Sequence, residues 1–215
     1  MKIGILTYEK PHKRSQDLIL NMANKYSKDD LKVIVLPWRD IKKKQPLLDL
    51  NLSNPLRMTQ AVLAERLGIE VHTKRKAFCD WYLIGGAQLL GEPYSTNGKT
   101  LNVHPGILRN ARGLDSFKRS LIYGYPLGCS LHIIDKDVDS GLLITNRYIA
   151  RNPFDTIHSL RTKLYNAEQD LLLCAVDMAT RPGLFTEKVS NLNKRYWPKR
   201  MTHAEELKMI ETITN

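Results

Sequence analysis

Short apolar runs alternate with segments of helical periodicity in the first half of the chain. Three runs rich in apolar and β-branched residues are typical of buried strands: Lys2–Thr7, Lys32–Pro37 and Asp80–Gly86. Between the first two, apolar residues recur at helical spacing over Ser15–Tyr26, which predicts a helix capped by its leading serine. Pro55–Gly68 is predicted to be a second helix, with proline at its start and glycine at its end.

The second half continues the sheet and then becomes helical. Thr100–Pro105 is predicted to be a further strand, and Gly128–Asp135 and Leu142–Ala150 are predicted to extend the sheet in antiparallel fashion. The apolar stripe of Phe154–Ala179 predicts one long amphipathic helix that packs against the core. After Pro182 we expect irregular structure and a short last helix.

The order strand, helix, strand, helix, strand predicts an α/β fold, with a single domain whose mostly parallel, twisted sheet carries helices on both faces. We assign residues 1–190 to this domain and residues 191–215 to a C-terminal tail with a short helix. Ligands of such sheets bind beyond the carboxyl ends of the strands. The segment Trp38–Pro55 carries charges and prolines without a period, and loops of that length are often functional.

Composition narrows the classes of partner. The chain has 215 residues, a hydrophobic content of 42% and a net charge of +11, which suits one basic globular domain with anionic partners. No apolar run reaches about 18 residues and the start lacks a signal-peptide pattern, so we expect neither a membrane span nor a leader. Three scattered cysteines indicate reduced thiols and a cytoplasmic location. The basic clusters do not alternate with aromatic residues, which disfavours nucleic acid as a partner.

Three polar residues form the candidate catalytic group. Asn102 and His104 lie two residues apart at the end of a predicted strand, so their side chains share a face, and the chain up to Asp139 is long enough to return to the same edge. An amide and a protonated imidazole can donate to the oxyanion that forms when an amine attacks a carbonyl, and a carboxylate can take the amine's proton. This pattern predicts acyl transfer to an amine.

A metal site is disfavoured, because "DKDVDSG" departs from the calcium-loop pattern and no histidine pair has zinc-ligand spacing.

The stretch Leu101–Ile144 resembles the core of the folate-dependent formyltransferase family. It contains an Asn-x-His-Pro signature, an Arg-Gly loop, a glycine before a strand that carries a histidine, and an Asp-x-Gly turn. The family includes glycinamide ribonucleotide, methionyl-tRNA and sugar N-formyltransferases. The resemblance implies that 10-formyltetrahydrofolate is the formyl donor and that Asn102, His104 and Asp139 are the catalytic residues.

The resemblance also implies where the two substrates bind. The segment "GGAQLLG" would line the pterin slot, and the loop Ile134–Asp139 would close over it. The residues implied for folate are Gln88, Leu89, Leu90, Ile134, Asp135 and Val138. The acceptor would be held by basic residues after the first strand and by the Arg-Gly loop, that is by Lys10, His12, Lys13, Arg14, Arg112 and Gly113. Such basic groups suit a phosphate.

Two departures from the family bear on the acceptor. The glycinamide ribonucleotide enzymes carry a Gly-Ser-Asn phosphate loop after the first strand, where this sequence has "TYEKPHKR". The methionyl-tRNA enzymes carry an additional C-terminal β-domain, and we expect the 215 residues to be too few to include one. We therefore expect a primary amine on a small phosphorylated acceptor, first of all a nucleotide-linked amino sugar. Phosphoribosylglycinamide is the alternative within the same chemistry. A non-catalytic folate- or anion-binding protein of the same fold is the alternative from another class, and an oligomer stays open.

Overall fold

The computed structural model describes residues 1–40, 45–50, 55–73, 77–184, 186–192 and 196–214. Within these residues one sheet contains eight strands, namely β1 (Ile3–Tyr8), β2 (Leu31–Leu36), β3 (Glu70–Thr73), β4 (Trp81–Ile84), β5 (Thr100–His104), β6 (Gly128–Ile133), β7 (Leu142–Tyr148) and β8 (Glu187–Lys188). The helices of the described chain are α1 (Lys13–Lys25), α2 (Gln60–Arg66), α3 (Ser116–Tyr123), α4 (Ile157–Ala179), α5 (Val189–Leu192) and α6 (His203–Thr214).

The sheet is parallel in its first part and antiparallel in its last part. Its strand order is β3-β2-β1-β4-β5-β6-β7-β8. The pairs from β3 to β5 are parallel, whereas β6 pairs antiparallel with β5, β7 with β6, and β8 with β7. The predicted α/β fold with a mostly parallel sheet is therefore confirmed, and so is the antiparallel extension.

Strand alternation decides which side chains of the catalytic strand reach the core. Leu101 and Val103 of β5 are completely buried in the main core, beside Leu83 of β4 and Leu131 of β6. Successive side chains of a strand point to opposite faces, so Asn102 lies on the other side of β5. Because the apolar residues of β5 are buried on the core face, its polar residues lie on the opposite face of the sheet.

The helices are distributed unevenly over the two faces. Helices α1, α2, α3, α4 and α6 all contribute apolar side chains to the main core. The opposite face carries smaller clusters, one of which joins Leu6 and Ile34 to Tyr82 and Tyr94. Another includes Val189 of α5. The face that carries the polar residues of β5 is therefore covered mainly by loops, which leaves room for a site.

Several predicted boundaries were wrong. Helix α1 begins at Lys13, so Ser15 lies in its first turn and does not cap it. Helix α2 begins at Gln60 rather than at proline, because the Thr59 side chain accepts a hydrogen bond from the amide of Val62. The short edge strand β3 was not predicted, since its four residues are only half-buried or exposed and show no apolar run.

Two predicted segments lie only partly within the described chain. Residues 41–44 and 51–54 of the long loop Trp38–Pro55, and residues 193–195 and 215 of the predicted tail, lie outside the described residues. In the part of the tail that is described, α6 has 12 residues and packs against α3. No helix among the described residues is long and apolar enough to cross a membrane.

Candidate active site

A cavity of about 880 Å³ lies at the carboxyl end of β5. Asn102, His104 and Asp139 all line this cavity. Its size falls within the range of small-molecule sites in proteins, about 300–1,000 Å³. The structure therefore brings the three residues of the predicted catalytic group together, although they come from β5 and from the loop between β6 and β7.

The His104 ring is held at both nitrogens. Its Nε2 lies 3.0 Å from the Ala111 carbonyl oxygen and 2.8 Å from Ser116 Oγ, whose own proton is donated to the Gly113 carbonyl at 2.5 Å. A carbonyl accepts only, so Nε2 must carry a proton. Nδ1 lies 3.3 Å from Asp139 Oδ1. This distance exceeds the 2.7–2.9 Å typical of charge-assisted hydrogen bonds, so the contact at Nδ1 is the looser of the ring's attachments.

A tight turn directs Asp139 to the ring. Asp139 has φ of 50°, a left-handed conformation that aspartate tolerates better than most residues. Gly141 follows with φ of 93°, and a Cβ at this glycine would lie 2.0 Å from the Ile133 carbonyl oxygen. Burial is the largest single effect and raises the pKa of the Asp139 carboxyl, but the charge and the hydrogen bond of His104, with smaller contributions from His132 and Arg112, together hold that pKa below its ordinary value. Asp139 is therefore a carboxylate at neutral pH.

A second histidine orients the amide of Asn102. His132 of β6 stands opposite Asn102 in the sheet, and Asn102 Nδ2 lies 3.1 Å from His132 Nε2. His132 Nδ1 faces the Ser140 carbonyl oxygen at 2.7 Å and must carry the proton of the neutral ring. Nε2 then accepts one N–H of the Asn102 amide, and the other N–H is left for a ligand.

His132 is a stable neutral donor–acceptor because it is completely buried. Burial lowers the pKa of His132 from 6.5 to about 4. Between these values the unfolded chain binds a proton that the native state excludes, so stability falls as the pH falls from 6.5 toward 4.

We expect this proton linkage to disappear when His132 is replaced. Between pH 7 and pH 4 the free energy of unfolding of the wild type should fall by about 3 kcal/mol more than that of the His132→Gln variant. Urea titrations of both proteins at several pH values measure the difference. Parallel curves for the two proteins would show that the native state protonates His132 as readily as the unfolded chain does.

Arg14, predicted to bind the acceptor, braces the catalytic strand. It lines the cavity, but its Nη2 donates to the Val103 carbonyl at 2.9 Å and its Nε lies 3.3 Å from Glu168 Oε2. Glu168 is almost completely buried and also pairs with Arg161 at 2.9 Å. Arg14 therefore holds the strand segment between Asn102 and His104, and its contact with an acceptor stays a prediction.

The other basic residues after β1 divide between the cavity and the surface. His12 and Lys13 line the cavity, and Lys13 Nζ lies 2.9 Å from Asp17 Oδ2. Lys10 instead pairs with Asp40 at 2.8 Å in an exposed contact. Within the described residues, Lys10 is not part of the cavity wall.

The Arg-Gly loop contacts the protein itself. The Arg112 guanidinium donates to the Val138 carbonyl through Nη2 at 2.9 Å and through Nε at 3.2 Å, and it lies 5.1 Å from the Tyr196 ring centre. Gly113 lines the cavity and forms a β-bridge with Trp197. Arg112 thus holds Val138, the residue that precedes Asp139. The predicted contact of Arg112 with the acceptor stays a prediction.

The residues predicted for folate do not line this cavity, as far as the described chain shows: Gln88, Leu89, Leu90, Ile134, Asp135 and Val138. Gln88 is bound to the Arg39 backbone, as donor at 2.6 Å and as acceptor at 3.1 Å. Leu89 is 81% exposed, and the Ile134 amide donates to the Thr100 carbonyl at 2.9 Å. Folate binding by these residues stays a prediction.

Sequence reasoning missed the residues that orient the trio. His132, Ser116 and Glu168 are buried polar residues that reach the trio or its strand only through cross-strand and long-range contacts. The histidine in "SLHII" was the one available signal, because it stands on a strand near Asn102 in the predicted sheet. Among the described residues, no group of three or more histidine, cysteine or acidic side chains is placed to hold a metal ion.

Known proteins match this chain in sequence over part of its length. The human trifunctional purine biosynthetic protein adenosine-3 is 29% identical over 99 residues, 45% of this chain and 10% of that protein. The dTDP-4-amino-4,6-dideoxyglucose formyltransferase of Mycobacterium bovis is 34% identical over 90 residues, 42% of this chain and 38% of that protein. The chain thus spans well under half the length of both of these curated relatives.

The fold extends the likeness beyond the matched sequence. The crystal structure of an N-formyltransferase from Helicobacter canadensis, in complex with folinic acid and dTDP-3-aminofucose, superposes with a TM-score of 0.63 and 17% identity. The superposition covers 93% of this chain and 71% of that one. The model of the family described as "Formyl transferase" matches residues 81–176, which include all three residues of the trio. Residues 81–176 are thus similar in sequence to the formyl transferase family, and the fold is similar to that of an N-formyltransferase along 93% of the chain.

Proposed function

We propose that this protein is an N-formyltransferase that moves a formyl group from 10-formyltetrahydrofolate to a primary amine of a small phosphorylated acceptor, a nucleotide-linked amino sugar. One observation carries the proposal. The Asp139 carboxylate lies 3.3 Å from His104, and both residues line one cavity with Asn102. Each of these groups fits one requirement of acyl transfer to an amine.

The reaction joins the acceptor nitrogen to the formyl carbon and breaks the bond from that carbon to N10 of the folate. Negative charge grows on the formyl oxygen, and the free N–H of the Asn102 amide and the Nδ1–H of His104 donate to it. Asp139 accepts the proton that the attacking amine loses, directly or through water. The N10 nitrogen leaves with the proton that Asp139 returns, directly or through water, so the protein is unchanged at the end.

Two features of the buried surroundings prepare these groups. His132 fixes the Asn102 amide before substrate binds, so the donor is aimed without reorganisation. Arg112 holds the Val138 carbonyl and with it the backbone that leads to Asp139. Because no serine or cysteine is needed as nucleophile, the absence of such a residue from the trio agrees with attack by the acceptor itself.

The cavity and the relatives favour a phosphorylated amine as acceptor. Lys13, Arg14, Arg161 and Arg200 line the cavity with the trio, and arginine and lysine are the usual phosphate ligands of proteins. The relative from Mycobacterium bovis and the structural neighbour from Helicobacter canadensis both carry a dTDP-linked amino sugar in their names. This chemistry supports an amino sugar joined to a nucleoside diphosphate.

Phosphoribosylglycinamide is the second candidate acceptor. One observation favours it, which is the match of 99 residues of the chain to a purine biosynthetic protein. It too is a phosphorylated primary amine, so the trio would act in the same way. The two candidates differ in whether the phosphate belongs to a nucleoside diphosphate or to a ribose.

A formyl-transfer assay tests the proposal. The protein is incubated with 10-formyltetrahydrofolate and with dTDP-3-aminofucose, dTDP-4-amino-4,6-dideoxyglucose or phosphoribosylglycinamide in separate reactions. We expect release of tetrahydrofolate and a formylated product with a dTDP-amino sugar. Turnover with phosphoribosylglycinamide alone would select the second candidate. Binding of folate without turnover on any amine would select a non-catalytic protein of this fold.

A further inference from the structure

The C-terminal segment (Tyr196–Glu206) forms one wall of the cavity that contains the trio. Four of its residues line the cavity, namely Arg200, Met201, His203 and Glu206. The residues predicted for folate do not line this cavity in the described chain, whereas four residues of the C-terminal segment do.

A backbone contact with the Arg-Gly loop docks the segment. Trp197 donates to the Arg112 carbonyl at 3.1 Å and accepts from the Leu114 amide at 2.9 Å. Gly113 lies between them with φ of 103°, and a Cβ at this glycine would lie 2.3 Å from the Trp197 carbonyl oxygen. The glycine of the Arg-Gly loop is thus required for the close approach of the C-terminal segment.

Asp115 makes a second attachment. It is the N-cap residue of α3 in the left-handed conformation, yet within the described residues its side chain makes no capping hydrogen bond. Its carboxylate instead accepts from the Met201 amide at 2.9 Å and from Arg200 Nη1 at 3.1 Å. An aspartate at this position normally accepts from the first turn of its own helix, so here that contact is replaced by two contacts to the C-terminal segment.

A buried ion pair fixes the end of the segment. Lys118 of α3 pairs with Glu206, and both side chains are buried. The other oxygen of Glu206 accepts from the Leu47 amide at 2.7 Å, which ties in the neighbouring wall of the cavity. Because an unpaired charge is costly to bury, the pair holds the C-terminal segment against the cavity.

From this placement we infer that the C-terminal segment is part of the acceptor site and that Arg200 binds the phosphate of the acceptor. The inference rests on the proposed function. The Arg200 side chain is 49% exposed, and the pair with Asp115 uses only one of the nitrogens of a guanidinium that has five N–H donors. Lys13, Arg14 and Arg161 line the same cavity, so Arg200 belongs to a basic lining that suits a diphosphate.

Calorimetric titration with dTDP, ribose 5-phosphate and folinic acid tests this role. The Arg200→Ala variant should bind dTDP about 10- to 100-fold more weakly than the wild type, because it loses charge-assisted hydrogen bonds. Arg200→Lys should fall between them, since it keeps the charge and loses the fork. Folinic acid should bind all of these proteins equally. Arg147→Ala is the matched control, because Arg147 is 48% exposed and pairs with Asp170 away from the cavity.

Each outcome supports or overturns the role of Arg200. Equal dTDP affinity in the wild type and in Arg200→Ala overturns it, and so does a wild type that binds neither phosphate probe. Loss of folinic acid affinity in parallel with dTDP affinity, or a large fall in the melting temperature of Arg200→Lys, would show that Arg200 acts only on the fold. The proposed function is judged separately, because it fails when the wild type formylates none of the amines, whatever Arg200 binds.

Discussion

Replacing Asp139 with asparagine should lower kcat for formyl transfer by about 10²- to 10⁴-fold, the usual contribution of a positioned proton acceptor. Asparagine has nearly the same shape and also tolerates the left-handed backbone at this position, so the fold should be kept. The change removes the carboxylate that stands 3.3 Å from His104 and cannot accept a proton from the attacking amine. Binding of both substrates should change little, because the loss is confined to the transition state.

Steady-state kinetics with the acceptor that the wild type uses measure this loss. Asp137→Asn is the matched control, because it makes the same change on an exposed aspartate of the same loop and should leave kcat unchanged. The melting temperature of each variant separates a catalytic effect from a folding defect. If Asp139→Asn kept a kcat within a factor of about three of the wild type, a proton-accepting role for this residue would be untenable.

The depressed pKa of Asp139 also fixes the pH at which its contribution to stability is lost. The folded-state pKa lies below the ordinary value of 3.8, so the pair with His104 contributes fully above that value and fades as the pH falls through the folded pKa. His132 acts at higher pH, between 6.5 and about 4, and in the same direction. Acid should therefore loosen the amide of Asn102 before it protonates Asp139.

The parts of the fold that follow from local pattern could be predicted from the sequence. Strands β1, β2, β4 and β5 are short apolar runs and α4 has a long apolar stripe, and the structure contains them with boundaries shifted by a few residues. The shared face of Asn102 and His104 follows from strand alternation alone. The start of α1 could not be predicted, because its N-cap residue His12 makes no side-chain capping hydrogen bond within the described chain and Ser15, the residue type that suits a cap, lies inside the helix.

The parts that depend on contacts between distant segments could not be predicted. The pairing of Asn102 with His132 is set by the register of β5 and β6, which the loop between them does not specify. The Arg-Gly loop was assigned to the acceptor because its residues suit a phosphate, whereas the structure joins it to Val138 and to Trp197. A basic residue shows its charge in the sequence, but its partner depends on the tertiary fold.

Removing the amide of Asn102 should have the second large effect. Asn102→Ala should lower kcat by about 10²- to 10³-fold, because loss of one preorganised oxyanion donor costs about that much. His132→Gln should have a smaller effect, about 10-fold, since glutamine still fills the position but aims the amide less well. The double variant should be no slower than Asn102→Ala alone, because His132 acts on the reaction through this one amide. If the two losses in kcat multiplied in the double variant, His132 would influence the formyl group by another route. The hydrogen bonds from the Ser140 carbonyl through His132 to Asn102 would then not be what orients the donor.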